Sequence, residues 1–440
     1  MSLLSFKLGG IHPAENKISE NVEIKNISIP AKVFIPISQH MGAPASIVVK
    51  KKDVVKVGTL LAKGEGFSAN IHSSVSGKVL KVEDIIESSG YRKTVITIKV
   101  DADEWEESID TSDTLVKKIS LSSEEIVEKV LKSGIVGLGG ATFPTHIKLK
   151  IPEGKKVDTL VINGVECEPY LTADHRLMLE KGEETLIGVK VLMKALSVQN
   201  AMIGIENNKK NAIKNLNKII KSDPEYFKGI KTYSLQVKYP QGGEKQLIKA
   251  LLNLEVPSGG LPLDVGCVVQ NIATAYAAYE AIQKNKPLIE RVVTVTGKSL
   301  KTPSNFMARI GIPIAHLIEE AGGLPDDTAK VINGGPMMGK ALNSLDVPVV
   351  KGMSGILIMQ KEESKRKVIK NCIRCARCVD VCPMGLEPYL IENLTIRGLF
   401  KDNIKYKIMD CIECGSCSFA CPANRALLDY IRLGKMKIRE

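Results

Sequence analysis

Eight of the ten cysteines fall into two copies of one spacing. Cys372, Cys375, Cys378 and Cys382 follow C-x2-C-x2-C-x3-C and precede Pro383; Cys411, Cys414, Cys417 and Cys421 repeat the pattern and precede Pro422. This is the ferredoxin run that wraps [4Fe–4S] cubes: three thiolates surround one cube as the backbone turns, and the fourth reaches the other cube. The spacing assigns Cys372, Cys375, Cys378 and Cys421 to one cluster, and Cys382, Cys411, Cys414 and Cys417 to a second. Structural zinc uses paired cysteine steps and four ligands, and two complete runs do not need that reading. Two neighbouring cubes form a one-electron wire, so something upstream must feed it.

The elements around the wire can be read from periodicity. Between the runs, LEPYLIENLTIRGLF places Leu390, Ile391, Leu394 and Ile396 at helical spacing, so the clusters sit in a small helical module. Residues 1–105 read as β structure, with short Val- and Ile-rich runs cut by Gly and Pro. Within them, DVVKVGTLLAKGEGFSANIHSSVSGKVLKVE resembles a lipoyl- or biotinyl-type barrel-sandwich hybrid, without the carrier lysine at its hairpin, GEGFSANIH. A structural or docking role is expected, with His12, His40 and His72 as loop or packing residues. An acidic linker, 101–113, leads to a helix capped by Ser122 and Glu125, lined by Ile126, Val127, Val130 and Leu131, and ended by Gly134. VDTLVING and NAMIGIE then alternate as strands with the helices LIGVKVLMKALS, EKQLIKALLNL and NIATAYAAYEAIQ, a pattern that predicts a parallel, doubly wound sheet. A smaller β/α/β unit follows from about residue 290.

Composition bounds the function. The chain of 440 residues is 44% hydrophobic and 25% charged, enough for several cores. Aromatics make up 4% with one Trp, so no base-stacking surface and no nucleic-acid partner is expected. The net charge of +12 is spread along the chain, and the basic run at 361–370 is interrupted by acids; a solvated surface is the reading. No apolar run approaches the ~18 residues of a spanning helix, and MSLLSFKLGGIHP lacks a signal-peptide core. The expectation is a protein that is cytoplasmic and soluble, or peripheral on a membrane partner, in a reducing compartment where disulfides do not explain the cysteines.

Three loops, read as following three strands, could build one pocket. GIVGLGGATFPTHIK, 134–148, offers backbone N–H groups to a phosphate at Gly137, Gly139 and Gly140, with Lys148 adding charge. NGVECEPYLTADHR, 163–176, brings Asn163, Glu166 and Glu168 to the end of a strand, where ligands of such sheets bind. YPQGGEKQL, 239–247, opens a helix after another strand. Nicotinamide gives two electrons as hydride and a cube accepts one, whereas a flavin handles both; a nucleotide pocket upstream of two cubes therefore favours flavin.

These loops resemble the NADH-binding flavoprotein subunit of respiratory complex I, in GLGGATFPTHIK, NGVECEPYLTADHR, YPQGGE and VVQNIATAYA. Across essentially the whole chain, the sequence resembles the C subunits of Rnf complexes, ion-pumping NAD–ferredoxin oxidoreductases: Phe6 to Pro13, IPISQHMGAP, INGGPMMG and both ferredoxin runs fit. The resemblance implies a multidomain α/β fold. A barrel-sandwich hybrid (1–105) precedes a Rossmann-like FMN/NAD(H) domain (115–288), a β-grasp domain (289–358) and a helical module for two [4Fe–4S] clusters (359–440). It implies noncovalent FMN held by Gly137, Gly139, Gly140, Lys148, Asn163, Glu166, Tyr239, Gly242, Asn271 and Thr274, with Phe143, Glu168 and Glu244 facing the nicotinamide of NAD(H). No further catalytic side chain is implied. The partners implied are the other subunits of a membrane-bound Rnf complex, with ferredoxin reached through one of them.

Leu138, Val165 and Gly243 depart from the complex I pattern, so those contacts do not transfer. Phe143 and Tyr239 read equally as core packing, and His146 and His175 as non-catalytic. Cys167 reads as a small packing residue and Cys267 as a buried one. Two alternatives stay open: a flavin- and cluster-bearing cobalamin reductase, and a scaffold that wires electrons past an empty pocket.

Overall fold

The computed structural model describes residues 3–86, 92–365 and 367–440; Met1, Ser2 and Arg366, which fall in the amino-terminal stretch and the basic run read above, lie outside the described residues. At its centre is a sheet of four parallel strands, in spatial order Ile230–Leu235, Asn200–Glu206, Thr159–Asn163 and Cys267–Asn271. The inner strands are apolar in their middles, at 160–162 and 201–205, because both faces are covered there. Helices Ser123–Lys132, Gly182–Leu196, Lys210–Ser222 and Ile272–Gln283 share a core on one face, and Glu244–Leu252 covers the other. Gly188 lets two of these helices touch: a Cβ there would lie 1.8 Å from the Ala275 carbonyl oxygen. The capping box of Ser122 and Glu125 forms as read, and Gly134, at φ +64°, follows the helix end.

The strand order has a functional consequence. The chain builds outward from Thr159–Asn163 on one side, then returns to its other flank for Cys267–Asn271. The carboxyl ends of these two strands mark the topological switch point, where ligands of open α/β sheets bind. Asn163 and Asn271 face each other there in register.

The amino-terminal β region is two small sheets. One contains Lys32–Pro36, Arg92–Ala102, Ser76–Ile86 and Val54–Val55, and the other Ser46–Ile47, Leu60–Lys63 and Ile71–His72. Its apolar core is continuous with that of a six-stranded sheet ordered Ile24–Asn26, Ser304–Arg309, Glu290–Thr296, Gly355–Gln360, Thr328–Asn333 and Lys340–Ala341, over which helix Ile314–Glu320 packs. Ile24–Asn26 runs parallel to Ser304–Arg309 and so leaves the β region that precedes residue 105; three extended residues carry no periodicity that would reveal this partner. The chain ends in short helices, among them Pro388–Ile396, Ser416–Ala420 and Leu427–Arg439, whose core residues Leu386, Ile391, Ile408, Leu427 and Ile431 are interleaved with cysteines.

Candidate functional site

The glycine loop lies over the switch point. The Gly137 N–H donates to the Phe143 carbonyl at 2.9 Å, closing the loop, and the Leu138 N–H donates to Thr274 Oγ1 at 2.9 Å, fastening it to the start of helix Ile272–Gln283. A Cβ on Gly139 would sit 3.3 Å from that of Asn271. Gly140, at φ +112°, faces open space, with nothing within 4 Å of a built Cβ. Arg291, buried, donates to the Leu138 and Lys351 carbonyls and ties the loop to the six-stranded sheet. Lys148 Nζ lies 2.6 Å from Glu244 Oε1 and 3.1 Å from the Val269 carbonyl.

The remaining loops close around this point. Asn163 Nδ2 donates to the Gly242 carbonyl at 2.8 Å. Asn271 Oδ1 accepts from the Ala273 and Thr274 N–H groups, capping their helix, while its Nδ2 donates to Asp174 Oδ2 at 2.7 Å. The Glu166 carboxylate accepts from the Asp174 and His175 N–H groups at the start of helix Ala173–Glu180. Burial, and then the neighbouring Glu166, pushes the Asp174 carboxyl above the usual carboxylate range. Glycines at 139 and 140, open space over Gly140 and a cation, Lys148, bonded to the strand that ends at Asn271 suit the phosphate of a flavin nucleotide, so the residues present fit that group.

The structure therefore gathers Gly137, Gly139, Gly140, Lys148, Asn163, Glu166, Gly242, Glu244, Asn271 and Thr274 around the switch point, and turns Tyr239 and Glu168 elsewhere. Glu166 spends its carboxylate on a helix start. Tyr239, 2% exposed, donates its hydroxyl to the Cys414 carbonyl at 2.8 Å. Glu168 accepts from the Met337 and Met338 N–H groups at 3.1 and 2.7 Å, in the INGGPMMG loop. Phe143 packs against Phe67 of the barrel hairpin, ring centroids 5.2 Å apart, with Lys148 Nζ 5.8 Å from its own ring centre. The hairpin without a carrier lysine thus rests on the glycine loop. Cys267 is buried, and Cys167 packs under Gly242, whose N–H lies 3.4 Å from its sulfur; burial pushes both thiols up to about 12. Two cations that the sequence does not single out hold the frame. Lys17 donates to the Glu166, Glu168 and Leu171 carbonyls at 2.7–2.8 Å, and the buried Lys351 donates to Asn70 and Gly134, joining barrel to flavin loop. Lys17 follows the GGIHP motif by four residues, which is the one signal that could have found it.

Burial pushes the Glu168 carboxyl from 4.5 up to about 7. The unfolded chain ionises it near its ordinary value, so between these two values the folded state holds the extra proton, and stability falls as pH rises through that window. Thermal melts taken from about pH 5 to 8 should show this fall, and Glu168→Gln should flatten that part of the profile.

The cysteines form two neighbourhoods. Cys417 feels the nearby Cys411, Cys414 and Cys382, while Cys378 feels Cys421 and Cys372. Each neighbourhood mixes the two sequence runs. Cys382, Cys414 and Cys417 are buried, whereas Cys372 and Cys375 are exposed. The first set is therefore the inner one, joined to the flavin loops through Tyr239, and the second faces outward.

A nucleotide cradle at a switch point, wired to two crossed cysteine sets, defines a flavin- and iron–sulfur-binding electron-transfer protein. Comparison with known families agrees over nearly all of the chain. Residues 4–103 match the RnfC barrel sandwich hybrid domain, 130–280 the Nuo51 FMN-binding domain, 292–341 the SLBB domain and 371–425 the 4Fe-4S dicluster domain. The C subunit of the proton-translocating ferredoxin:NAD(+) oxidoreductase complex of Clostridium ljungdahlii is 45% identical over 99% of this chain and 94% of its own length. The Na(+)-translocating counterpart of Acetobacterium woodii is 45% identical over 98% of this chain and 96% of its own. The chain belongs to the family of Rnf complex C subunits. A solved NAD+-reducing [NiFe]-hydrogenase in the H2-reduced state shares the fold over 72% of this chain and 62% of its own, with a TM-score of 0.52 at 15% identity. Among the described residues, no helix is long and apolar enough to cross a membrane.

Proposed function

We propose that this chain is the NAD(H)-exchanging subunit of a membrane-bound Rnf complex, peripheral on its cytoplasmic face. It joins a nicotinamide–flavin site to a partner subunit through two [4Fe–4S] clusters, and through that partner to ferredoxin. The observation that carries the reading is the direct contact of the flavin-side turn with the inner cysteine set, Tyr239 Oη to the Cys414 carbonyl at 2.8 Å. Bound FMN supplies the chemistry, exchanging hydride with nicotinamide and electrons singly with iron–sulfur centres. The protein supplies geometry: Gly139, Gly140 and Lys148 bind the phosphate, Thr274 fixes the loop, and Phe143 and Glu244 border the nicotinamide. Cys382, Cys411, Cys414 and Cys417 hold the inner cluster; Cys372, Cys375, Cys378 and Cys421 hold the outer one, at the partner side. The domain limits 1–105, 115–288, 289–358 and 359–440 describe this division of labour. Relatives named for proton and for Na+ translocation match equally well, as expected if other subunits select the ion.

An anaerobic NADH titration of the cluster-reconstituted protein tests this. Flavin bleaching at low NADH, followed by a reduced-cluster EPR signal, is the expected result. Intact clusters with no bound flavin and no response to NADH would overturn the reading and leave a wiring scaffold; NADH-driven reduction of cobalamin would reassign the chain to cobalamin reductase.

A further inference from the structure

The amino-terminal motif Phe6–Pro13 is explained neither by the barrel nor by the flavin pocket. In the structure it is a strap between them and the cysteine module. The Ile11 N–H donates to the Tyr239 carbonyl at 2.8 Å and the Tyr239 N–H returns to the Ile11 carbonyl at 2.9 Å. One residue earlier, the Gly10 N–H donates to the Val381 carbonyl at 2.9 Å. One earlier again, Gly9, at φ +65°, lies so close to Cys382 that a Cβ would be 2.5 Å from its backbone carbon and oxygen. Three successive residues therefore bind the turn bearing Tyr239 on one side and the loop bearing Cys382 on the other. Phe6, 3% exposed, anchors the strap under Lys238, whose Nζ is 4.2 Å from the ring centre.

We infer that this strap sets the gap between the flavin pocket and the inner cluster, and that Gly9 is its positioning residue, because only a glycine lets the strap lie against the Cys382 backbone. The inference rests on the function proposed above. Electron transfer between two centres falls steeply with their separation, so any displacement of the cysteine loop from the flavin pocket slows it. A side chain at Gly9 meets backbone rather than a flexible side chain, so the cysteine loop or the strap must move.

The test compares the full chain with Gly9→Ala, Gly9→Val and Gly398→Ala, all cluster-reconstituted and FMN-loaded. Gly398 shares the positive φ, +71°, but a Cβ there meets nothing within 4 Å, so this variant controls for backbone strain alone. In the Gly9 variants, hydrogen exchange should accelerate at the Gly10, Ile11 and Tyr239 amides. Stopped-flow reduction of the clusters by NADH should slow several-fold, while flavin bleaching keeps its rate; the Gly398 variant should change neither. Unaltered exchange and unaltered cluster reduction in Gly9→Val would overturn the inference. If that variant loses iron, Gly9→Ala decides, since its methyl makes the same contact. Failure of NADH to bleach the flavin in the unsubstituted protein would instead overturn the function on which the inference rests.

Discussion

Cys382→Ala should stop electrons at the flavin. The residue belongs to the first cysteine run, yet its neighbours are Cys414 and Cys411 of the second, and it lies in the buried set. Losing one thiolate of four opens a cube to hydrolysis, so the variant should keep about half its iron, held by the outer set. NADH should still bleach the flavin, but the surviving cluster should stay oxidised, because the step between flavin and outer cluster has been removed. Cys421→Ala gives the converse: the outer cluster is lost and the inner one remains reducible by NADH. Iron analysis, absorbance and EPR during NADH titration separate these outcomes. If each run instead held its own cube, Cys382→Ala would empty the outer site and leave NADH-driven reduction of the inner one intact.

Thr274→Val should weaken FMN retention far more than its small change in shape suggests. The Thr274 hydroxyl oxygen accepts the Leu138 N–H at 2.9 Å, and Leu138 is 3% exposed. Valine fills the same volume but leaves that donor buried and unpaired, at a cost of about 1–3 kcal/mol. The glycine loop can escape the cost only by shifting, which moves Gly139 and Gly140 away from the phosphate. If the full cost appears in binding, FMN affinity should fall about 5- to 150-fold, read by fluorescence titration of the flavin-depleted protein. Thr274→Ser, which keeps the acceptor, should stay close to the unsubstituted value. Equal affinity in the valine variant would mean that the loop does not depend on this contact.

What could be read in the sequence was what repeats locally. The strands Thr159–Asn163 and Asn200–Glu206, the helices on either side and the capped helix at Ser123–Lys132 all declare themselves by period and cap. The crossed cysteine sets are read from spacing, in which three thiolates of a run wrap one cube and the fourth reaches the other. The residues beneath the glycine loop were legible as strand ends, whereas the loop itself follows the helix Ser123–Lys132. Long-range contacts were not. Glu168 was expected to face the nicotinamide, but its carboxylate is taken by two amides some 170 residues away. Lys17, Arg291 and Lys351 bind backbone carbonyls, and a carbonyl leaves no complementary side chain in the sequence to pair them with. The barrel hairpin on Phe143 was foreseen only as a docking element, and its target lay in a contact between units that no local period encodes.

The exposure of Cys372 and Cys375 has a consequence for handling the protein as well as for its wiring. Thiolates that solvent reaches are the first to be oxidised, and buried ones are spared. A subunit kept in air apart from its complex should therefore age from the outside inward. It would lose the outer cube while flavin and inner cube persist, and would then pass for a one-cluster protein that takes electrons from NADH and cannot hand them on. A partner seated over that loop shields the cube that the partner itself uses, so assembly and oxygen tolerance should rise together.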